Sequence, residues 1–245
     1  MNNIELIFPE IFISLSIMFL LILGVFKKNS SKIIHNFSLL ILLITAVITF
    51  NETLSVDPTN LFNESIVIDY LSSFMKIITL LAAFVVLLIS SNYLRAFKIF
   101  KIEYPILILS SVLGMMIMIS SNDLIVFYMG LELQSLALYV LATFNRDQLK
   151  SSEAGLKYFV LSALSSGLLL YGCSLIYGFT GSTNFNVIST QFNTNEYALT
   201  FGIVFILVGL AFKISAVPFH MWAPDVYEGS PTSVTLFFTM VPKIA

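Results

Sequence analysis

Charged side chains are scarce in this sequence. Asp, Glu, Lys and Arg make up 11% of the 245 residues, against roughly 25% in an ordinary soluble domain. Hydrophobic residues make up 58% of the chain and fall in long runs. The net charge of -2 is too small to indicate nucleic-acid binding, so no nucleic-acid partner is expected. The composition predicts a polytopic membrane protein that is surrounded by the lipid bilayer.

Cysteine and histidine are almost absent. Cys173 stands alone in an apolar run, which excludes an intrachain disulfide and a zinc or iron–sulfur site built from this chain. The histidines, His35 and His220, lie far apart in sequence and are too few for a haem or metal cage. The sequence therefore predicts transport rather than electron transfer, with no cofactor bound by this chain.

Long apolar stretches divide the chain at the spacing of membrane-spanning helices. A bilayer core about 30 Å thick needs roughly 20 apolar residues per helix. Because lipid offers no partner for a free backbone amide, and the alternating pattern of a β-barrel is absent, the predicted fold class is an all-α transmembrane helical bundle. The predicted spans lie near residues 6 to 26, 33 to 51, 69 to 92, 104 to 121, 123 to 144, 155 to 178, 197 to 219, and 231 onward.

The loops between these spans predict the orientation of the chain. Lys and Arg occupy alternate loops, at Lys27, Lys28, Lys32, Arg95, Lys98, Lys101, Arg146 and Lys150. The loop of residues 51 to 68 instead carries Glu52, Asp57 and Glu64, and residues 179 to 196 are interpreted as an ordinary external loop. By the positive-inside rule, the basic loops are cytoplasmic and the N-terminus is outside. Only about 14 residues follow Pro231, fewer than a span needs, so the sequence is interpreted as a fragment.

One acidic residue lies deep within an apolar segment. Glu132 falls near the middle of the fifth predicted span. A charge at that depth has an insertion free energy of roughly 2.5 to 3.5 kcal/mol, so a function or a partner is expected. The functional interpretation is an ion path, and the alternative is a structural ion pair or a helix–helix hydrogen bond with a neighbour such as Gln134 or Ser135.

The seventh predicted span is rich in proline around a lysine. Lys213 is followed by Pro218, Pro224 and Pro231, which predicts a broken helix. Breaks of this kind line cavities in transporters, so Lys213 is a candidate for loading and releasing a proton. The alternative is a lysine that caps loose carbonyls at a helix end. His220 could relay protons, or lie in a loop at the cytoplasmic interface.

Three further lysines fall within apolar segments. Lys157, near the start of the sixth span, is a candidate for the path, but an i,i+4 pair with Glu153 or a snorkelling stem would also explain it. Lys243 is predicted near the middle of the eighth span. Lys76 is expected to snorkel to the interface or to Asp69, outside the site.

The sixth predicted span contains a run of small residues. Such residues allow close helix packing in a membrane. We interpret them as a packing face and not as part of a site. They are Ser162, Ala163, Ser165, Ser166, Gly167 and Gly172.

Two long runs carry a family resemblance. These are EAGLKYFVLSALSSGLLLYGCSLIYGFTG (residues 153 to 181) and FKISAVPFHMWAPDVYEGSPT (212 to 232), with GLELQSLALYVL before them. The chain resembles the subunit N family of NADH:quinone oxidoreductase (complex I), which is related to multisubunit cation/proton antiporters. The resemblance implies two inverted repeats, each with a broken helix. Residues 1 to 103 would be N-terminal helices, and residues 104 to 245 the first repeat, truncated.

The resemblance also implies a function. Protons would pass along a path formed by Glu132, Lys157, Lys213 and Lys243, with His220 beside it. NADH, FMN, iron–sulfur clusters and quinone would be bound by partner subunits, and other membrane subunits of the complex would be the partners. The expected location is the bacterial inner membrane or, alternatively, the mitochondrial inner membrane. The competing interpretations are a subunit of a cation/proton antiporter and a passive membrane scaffold.

Overall fold

The chain folds almost entirely into α-helices, as its composition predicts. The computed structural model describes residues 5–27, 30–53, 59–191 and 196–245. Lys28 and Asp57, which contribute to the predicted loop pattern, lie outside the described residues. In chain order the elements are α1 Phe8–Phe26, α2 Ser31–Thr53, β1 Thr59–Leu61, β2 Ile66–Ile68, α3 Tyr70–Ala96, α4 Glu103–Ile119, α5 Leu124–Ala142, α6 Leu149–Thr180, α7 Phe185–Gln191, α8 Glu196–Lys213, α9 Trp222–Gly229 and α10 Thr232–Ile244. The all-α fold class is confirmed.

Five of the described helices are long and apolar enough to cross a membrane, namely α1, α2, α3, α5 and α6. The helices at the other three predicted spans, α4, α8 and α10, are apolar but shorter. The seventh span was predicted to continue to residue 219, but α8 ends at Lys213. By contrast, α6 is longer than its predicted span, with 32 residues from Leu149 to Thr180.

Aspartates set the start of two of the long helices. The Asp69 side chain accepts from the backbone N–H of Ser72 at 2.7 Å and forms a capping box at the start of α3. The Asp123 side chain accepts from the first backbone N–H groups of α5 and also from the Thr183 hydroxyl. These caps satisfy amides that would otherwise lack partners, and they fix where α3 and α5 begin.

A β-hairpin and a short helix lie where the sequence predicted plain loops. Strands β1 and β2 pair antiparallel between α2 and α3, and α7 lies between α6 and α8. The carbonyl oxygen of Glu64, in the hairpin turn, accepts from the side-chain amides of Asn122 at 2.9 Å and Asn184 at 3.1 Å. The hairpin is therefore attached to both the α4–α5 and α6–α7 connections. Strands of three residues are too short to give a recognisable alternating pattern, which is why the prediction missed them.

Two glycines bring α4 and α5 close together. A Cβ on Gly130 would lie 2.8 Å from the backbone nitrogen of Met118, and one on Gly114 would lie 2.5 Å from that of Gln134. The two backbones therefore approach each other more closely than side chains would allow. This contact fixes the position of α5 on both sides of Glu132.

The placement predicted for Lys76 is wrong. Its ammonium lies 2.6 Å from a carboxylate oxygen of Glu10, and both side chains are buried. Asp69 is occupied by the capping box of α3, and the start of α1 presents a carboxylate to Lys76 inside the bundle. Lys76 is therefore an internal ion-pair partner and does not snorkel to the interface.

Candidate functional site

A carboxylate and a lysine meet inside the helical bundle. Glu132 lies near the middle of α5, and Lys213 is the last residue of α8. The Lys213 Nζ and Glu132 Oε1 atoms are 3.5 Å apart, with side chains that are 12% and 20% exposed. Neither the predicted structural partner Gln134 nor Ser135 bonds to Glu132 among the described contacts. Glu132 forms an ion pair with the oppositely charged Lys213 instead.

Hydroxyl groups surround the Lys213 ammonium. It donates to the hydroxyl oxygens of Ser135 at 2.9 Å, Tyr139 at 3.1 Å and Ser162 at 3.0 Å. Tyr139 in turn donates to Ser162 at 2.5 Å, and the Ser166 hydroxyl donates to Glu132. These bonds compensate in part for the water that the charged groups lose when they are buried.

The interpretation of the small residues of α6 as a packing face alone is wrong. Ser162 contacts the lysine and Ser166 contacts the carboxylate, so the same face of α6 supplies polar groups to the site. The two serines are four residues apart and lie one above the other on the helix. Gly172 does serve packing, because a Cβ there would lie 2.7 Å from the Gly202 carbonyl oxygen of α8.

Helical structure stops at Lys213 and resumes at Trp222, with Pro218 between them. The indole N–H of Trp222 donates to the Phe212 carbonyl at 3.1 Å, and the Lys243 ammonium donates to the Lys213 carbonyl at 3.3 Å. Side chains from α9 and α10 therefore satisfy carbonyl groups at the end of α8. The capping role considered for Lys213 belongs to Lys243. That α8 and α9 are halves of one proline-broken helix, and that the repeat is inverted, stay predictions.

A cavity of about 220 Å³ lies between Lys213 and Lys243. Its wall includes the aromatic rings of Tyr158, Trp222 and Tyr227. The ring of Tyr158 stacks on Trp222, with centroids 4.6 Å apart, which holds α9 against α6. The volume is large enough for several water molecules. The two lysines thus border a common space that is large enough to hold water.

Lys157 lies apart from this ion pair. Its ammonium is 2.9 Å from Glu153, the predicted i,i+4 partner, and 2.8 Å from Asp225 of α9. The Lys157 side chain is 41% exposed. The structure therefore does not pair it with Glu132. A further exposed pair, Lys150 with Glu228 at 3.1 Å, joins α6 to α9 beside it.

His220 lies in the turn between α8 and α9 and is exposed. Among the described residues its imidazole makes no hydrogen bond or ion pair. No described hydrogen bond or ion pair therefore joins it to Glu132, Lys213 or Lys243. Within the residues that the structure describes, no group of three or more His, Cys, Asp or Glu residues is placed to hold a metal ion.

Sequence reasoning missed Tyr139 and Ser162, yet a signal for both was present. Ser135 and Tyr139 follow Glu132 by three and seven residues, so all three lie on one face of a helix. Polar residues on the same helical face as a buried charge are candidates for its hydrogen-bond partners. The pairing of that face with Ser162 depends on how α5 meets α6, which the sequence does not specify.

The fold and the site together define a class of protein: a polytopic helical membrane protein with an ion pair buried in its bundle. The chain belongs to the NADH:quinone oxidoreductase/Mrp antiporter transmembrane family, whose sequence pattern matches residues 121–245.

Curated relatives in this family are about twice as long as the chain. It is 74% identical over 245 residues to NADH-quinone oxidoreductase subunit N of Pelagibacter ubique (strain HTCC1062), covering 100% of this chain and 52% of the relative. It is 51% identical over 247 residues to subunit N of Maricaulis maris (strain MCS10), covering 100% of the chain and 51% of that protein. The chain therefore spans about half the length of the curated relatives it matches.

The chain also shares its fold with one chain of a solved respiratory complex. A chain in the structure of respiratory complex I from Thermus thermophilus with bound aureothin matches with a TM-score of 0.83 and 29% sequence identity. The match covers 96% of this chain and 51% of the Thermus chain.

Proposed function

We propose that this chain forms half of a proton-translocating membrane subunit of an NADH:quinone oxidoreductase. The observation that carries the proposal is the Lys213 ammonium held between Glu132 and three hydroxyl groups inside an apolar bundle. Ionisable groups in such positions mark ion paths by default. The 74% identity to a subunit N and the fold shared with a chain of complex I support the same function.

The proposal includes the rest of the complex. NADH, FMN, iron–sulfur clusters and quinone would be bound by partner subunits, where the redox chemistry takes place. The neighbours of this chain would be other membrane subunits of that complex. Its location would be the bacterial inner membrane, with the N-terminus outside, because the basic residues Lys32, Arg95 and Arg146 follow the positive-inside rule.

In the proposed mechanism, the distance between Glu132 and Lys213 controls the proton. While the carboxylate is close, its charge stabilises the protonated lysine. Redox chemistry in the partner subunits would move α5 relative to α8 and weaken this interaction. Lys213 would then release its proton into the cavity that it shares with Lys243, and Lys243 would accept this proton in its neutral amine form.

Neutralising the carboxylate tests this mechanism. In the intact complex reconstituted in vesicles, Glu132→Gln should lower the number of protons pumped per NADH oxidised, because Lys213 loses its counter-charge. Glu103→Gln is the matched control, since Glu103 is an exposed acid at the start of α4. An unchanged pumping ratio in Glu132→Gln, with normal assembly, would remove Glu132 from the mechanism.

Two alternatives make different predictions for the same complex. A cation/proton antiporter subunit, which the family also includes, would show transport that depends on sodium. A passive scaffold would tolerate Lys213→Met without any loss of pumping, wherever the variant complex still assembles. The proposed function requires sodium-independent pumping that Lys213→Met lowers.

A further inference from the structure

A polar side chain without a partner lies on the wall of the cavity between Lys213 and Lys243. Gln134 of α5 is 9% exposed and lines this cavity. Its side-chain oxygen, Oε1, is buried and makes no hydrogen bond to any residue that the structure describes. A buried acceptor that has lost water without gaining another partner is energetically unfavourable, so this atom points to a ligand in the cavity.

One face of α5 lines the cavity, and Gln134 lies on that face. The residues of this face are three or four positions apart, as helical geometry requires: Phe127, Leu131, Gln134, Ser135 and Leu138. The Ser135 hydroxyl donates to the Leu131 carbonyl and accepts from Lys213. Among the described contacts of this face, the side-chain acceptor that remains available to a ligand is therefore Oε1 of Gln134.

A close contact between helices holds the backbone of Gln134. A Cβ on Gly114 of α4 would lie 2.5 Å from the Gln134 backbone nitrogen, so α5 has no room to move toward α4 at this point. The amide is thus presented to the cavity from a fixed position. A rigid support of this kind suits a side chain that positions a small ligand.

Water is the ligand that fits this cavity. The volume of about 220 Å³ holds several water molecules, and much of the wall is apolar, with side chains such as Met118, Leu210 and Phe238. The two lysines on the wall disfavour a metal cation in the same space. A buried water forms about three hydrogen bonds with polar groups that would otherwise lack partners, and Gln134 offers one acceptor.

The contacts of Lys243 leave it able to accept a hydrogen bond from this water. Its Nζ atom lies 3.3 Å from the Lys213 carbonyl oxygen and 3.2 Å from the Ser215 hydroxyl oxygen. A neutral amine has two N–H donors and one lone pair. Because these two oxygens accept both donors, the lone pair remains for water in the cavity that Lys243 lines.

We propose that Gln134 is a positioning residue for proton transfer, which orients a water molecule between Lys213 and Lys243. This inference rests on the proposed function and adds a residue to it. The water donates one O–H to Oε1 of Gln134 and the other to the neutral amine of Lys243. It accepts a hydrogen bond from the Lys213 N–H that now points at Ser135, because Ser135 also lines the cavity.

The transfer step conserves the water. When Lys213 passes a proton to the water, the water passes the proton on its other side to Lys243. Lys213 becomes a neutral amine, Lys243 becomes an ammonium, and a water molecule remains. The hydrogen bond to Gln134 keeps the oxygen lone pair of the water directed at Lys213 throughout this step.

Electron cryo-microscopy of the intact complex, at a resolution that shows ordered water, tests the position of the ligand. We expect water density about 2.7 to 3.2 Å from the Gln134 amide. Gln134→Met should remove this density, because methionine is of similar length but lacks the amide. The matched control is Gln148→Met, since Gln148 is exposed at the start of α6 and its side chain makes no capping bond.

The initial rate of proton pumping in vesicles tests the role of the water. Gln134→Met should lower this rate by about three- to tenfold per assembled complex, because the hydrogen bond that orients the water is lost. The ratio of the rates in light and heavy water should rise, since proton transfer becomes the slower step. Gln148→Met should match the wild type in both measurements. A merely structural role for Gln134 would reduce assembly and leave the isotope ratio unchanged, which would overturn the inference.

Lys213→Met, measured in the same vesicles, separates this inference from the proposed function. If Lys213→Met lowers pumping but Gln134→Met pumps at the wild-type rate, the inference is overturned and the proposed function stands. If Lys213→Met pumps like the wild type, the proposed function fails and the transfer step fails with it. If Gln134→Met does not assemble, the wild-type map still decides, because a cavity filled by protein, or one without ordered water beside Gln134, overturns the inference.

Discussion

Lys213 owes its position to hydroxyl groups as much as to its counter-charge. The Glu132 carboxylate is 3.5 Å from the ammonium, whereas the three hydroxyl oxygens lie between 2.9 and 3.1 Å. Ammonium has three N–H donors, and these oxygens offer three acceptors. The carboxylate can therefore move away without leaving the ammonium unsolvated, which is what the proposed gating requires.

Removal of one hydroxyl group tests this role. Tyr139→Phe should keep the packing against Tyr158 but lose the acceptor for Lys213 and the donor to Ser162. A hydrogen bond to a charged group contributes about 1.5 to 3 kcal/mol, so we expect pumping to fall by at least about tenfold while assembly is kept. The measurement is the initial rate of proton pumping in vesicles.

Tyr171→Phe serves as the control, because Tyr171 is an exposed tyrosine on α6. Equal rates in Tyr139→Phe and the wild type would show that the hydroxyl shell has no part in proton transfer.

Sequence reasoning found the charges of the site, but of their partners it identified only a local one, Glu153 beside Lys157. Glu132 and Lys213 stand out because a charge in an apolar segment is a property of the sequence itself. That Lys76 pairs with Glu10, and Lys157 with Asp225, depends on which helix faces which. These contacts join residues 66 and 68 positions apart, and no local pattern indicates them.

At the scale of elements, the contact between α4 and α5 positions the carboxylate. Gly130→Ala should push the two helices apart, because its Cβ would lie 2.8 Å from the Met118 backbone nitrogen. We expect lower assembly of the complex and a lower melting temperature, corresponding to about 1 to 3 kcal/mol for a strained core position. Thermal melting of the purified complex is the measurement.

Gly178→Ala provides the comparison for this substitution. Gly178 also lies in a helix, but a Cβ there would meet nothing within 4 Å. Its replacement should therefore leave the melting temperature unchanged or raise it slightly, because alanine favours helix more than glycine does. A similar loss in both variants would mean that helix propensity or folding, and not the α4–α5 contact, is responsible.

The existence of the helices could be predicted better than their ends. Runs of apolar residues locate α1, α2, α3 and α5 closely, because lipid imposes both their length and their hydrophobicity. The end of α8 at Lys213 was predicted too late, since residues 214 to 219 remain mostly apolar even though they form turns. Hydropathy alone cannot distinguish apolar turns that pack inside protein from apolar helix.

At the scale of the whole molecule, the described connections divide between two ends of the bundle. The hairpin and α7 lie at one end, and the basic connection from Arg95 to Lys101 lies at the other. The positive-inside rule predicts that the basic end is cytoplasmic. The matched substitutions Ser152→Cys and Ser189→Cys place an exposed thiol at each end, with little change in side-chain volume.

A membrane-impermeant thiol reagent should label the Ser189→Cys variant from outside the cell. The Ser152→Cys variant should react only after the membrane is opened. The native Cys173 is buried and should stay unlabelled in the parent protein. The reverse pattern of labelling would place the N-terminus in the cytoplasm.

The hairpin attachment at Glu64 has a mechanical consequence. Because one carbonyl oxygen accepts from Asn122 and Asn184, it fastens the α4–α5 and α6–α7 connections to a single point. We expect helices that are joined at that end to separate mainly by tilting about it. Their relative displacement is then smallest near the attachment and grows toward the opposite end, where α8 gives way to turns beside Lys213. We therefore expect a slight tilt of α5 about this attachment to change the distance between Glu132 and Lys213.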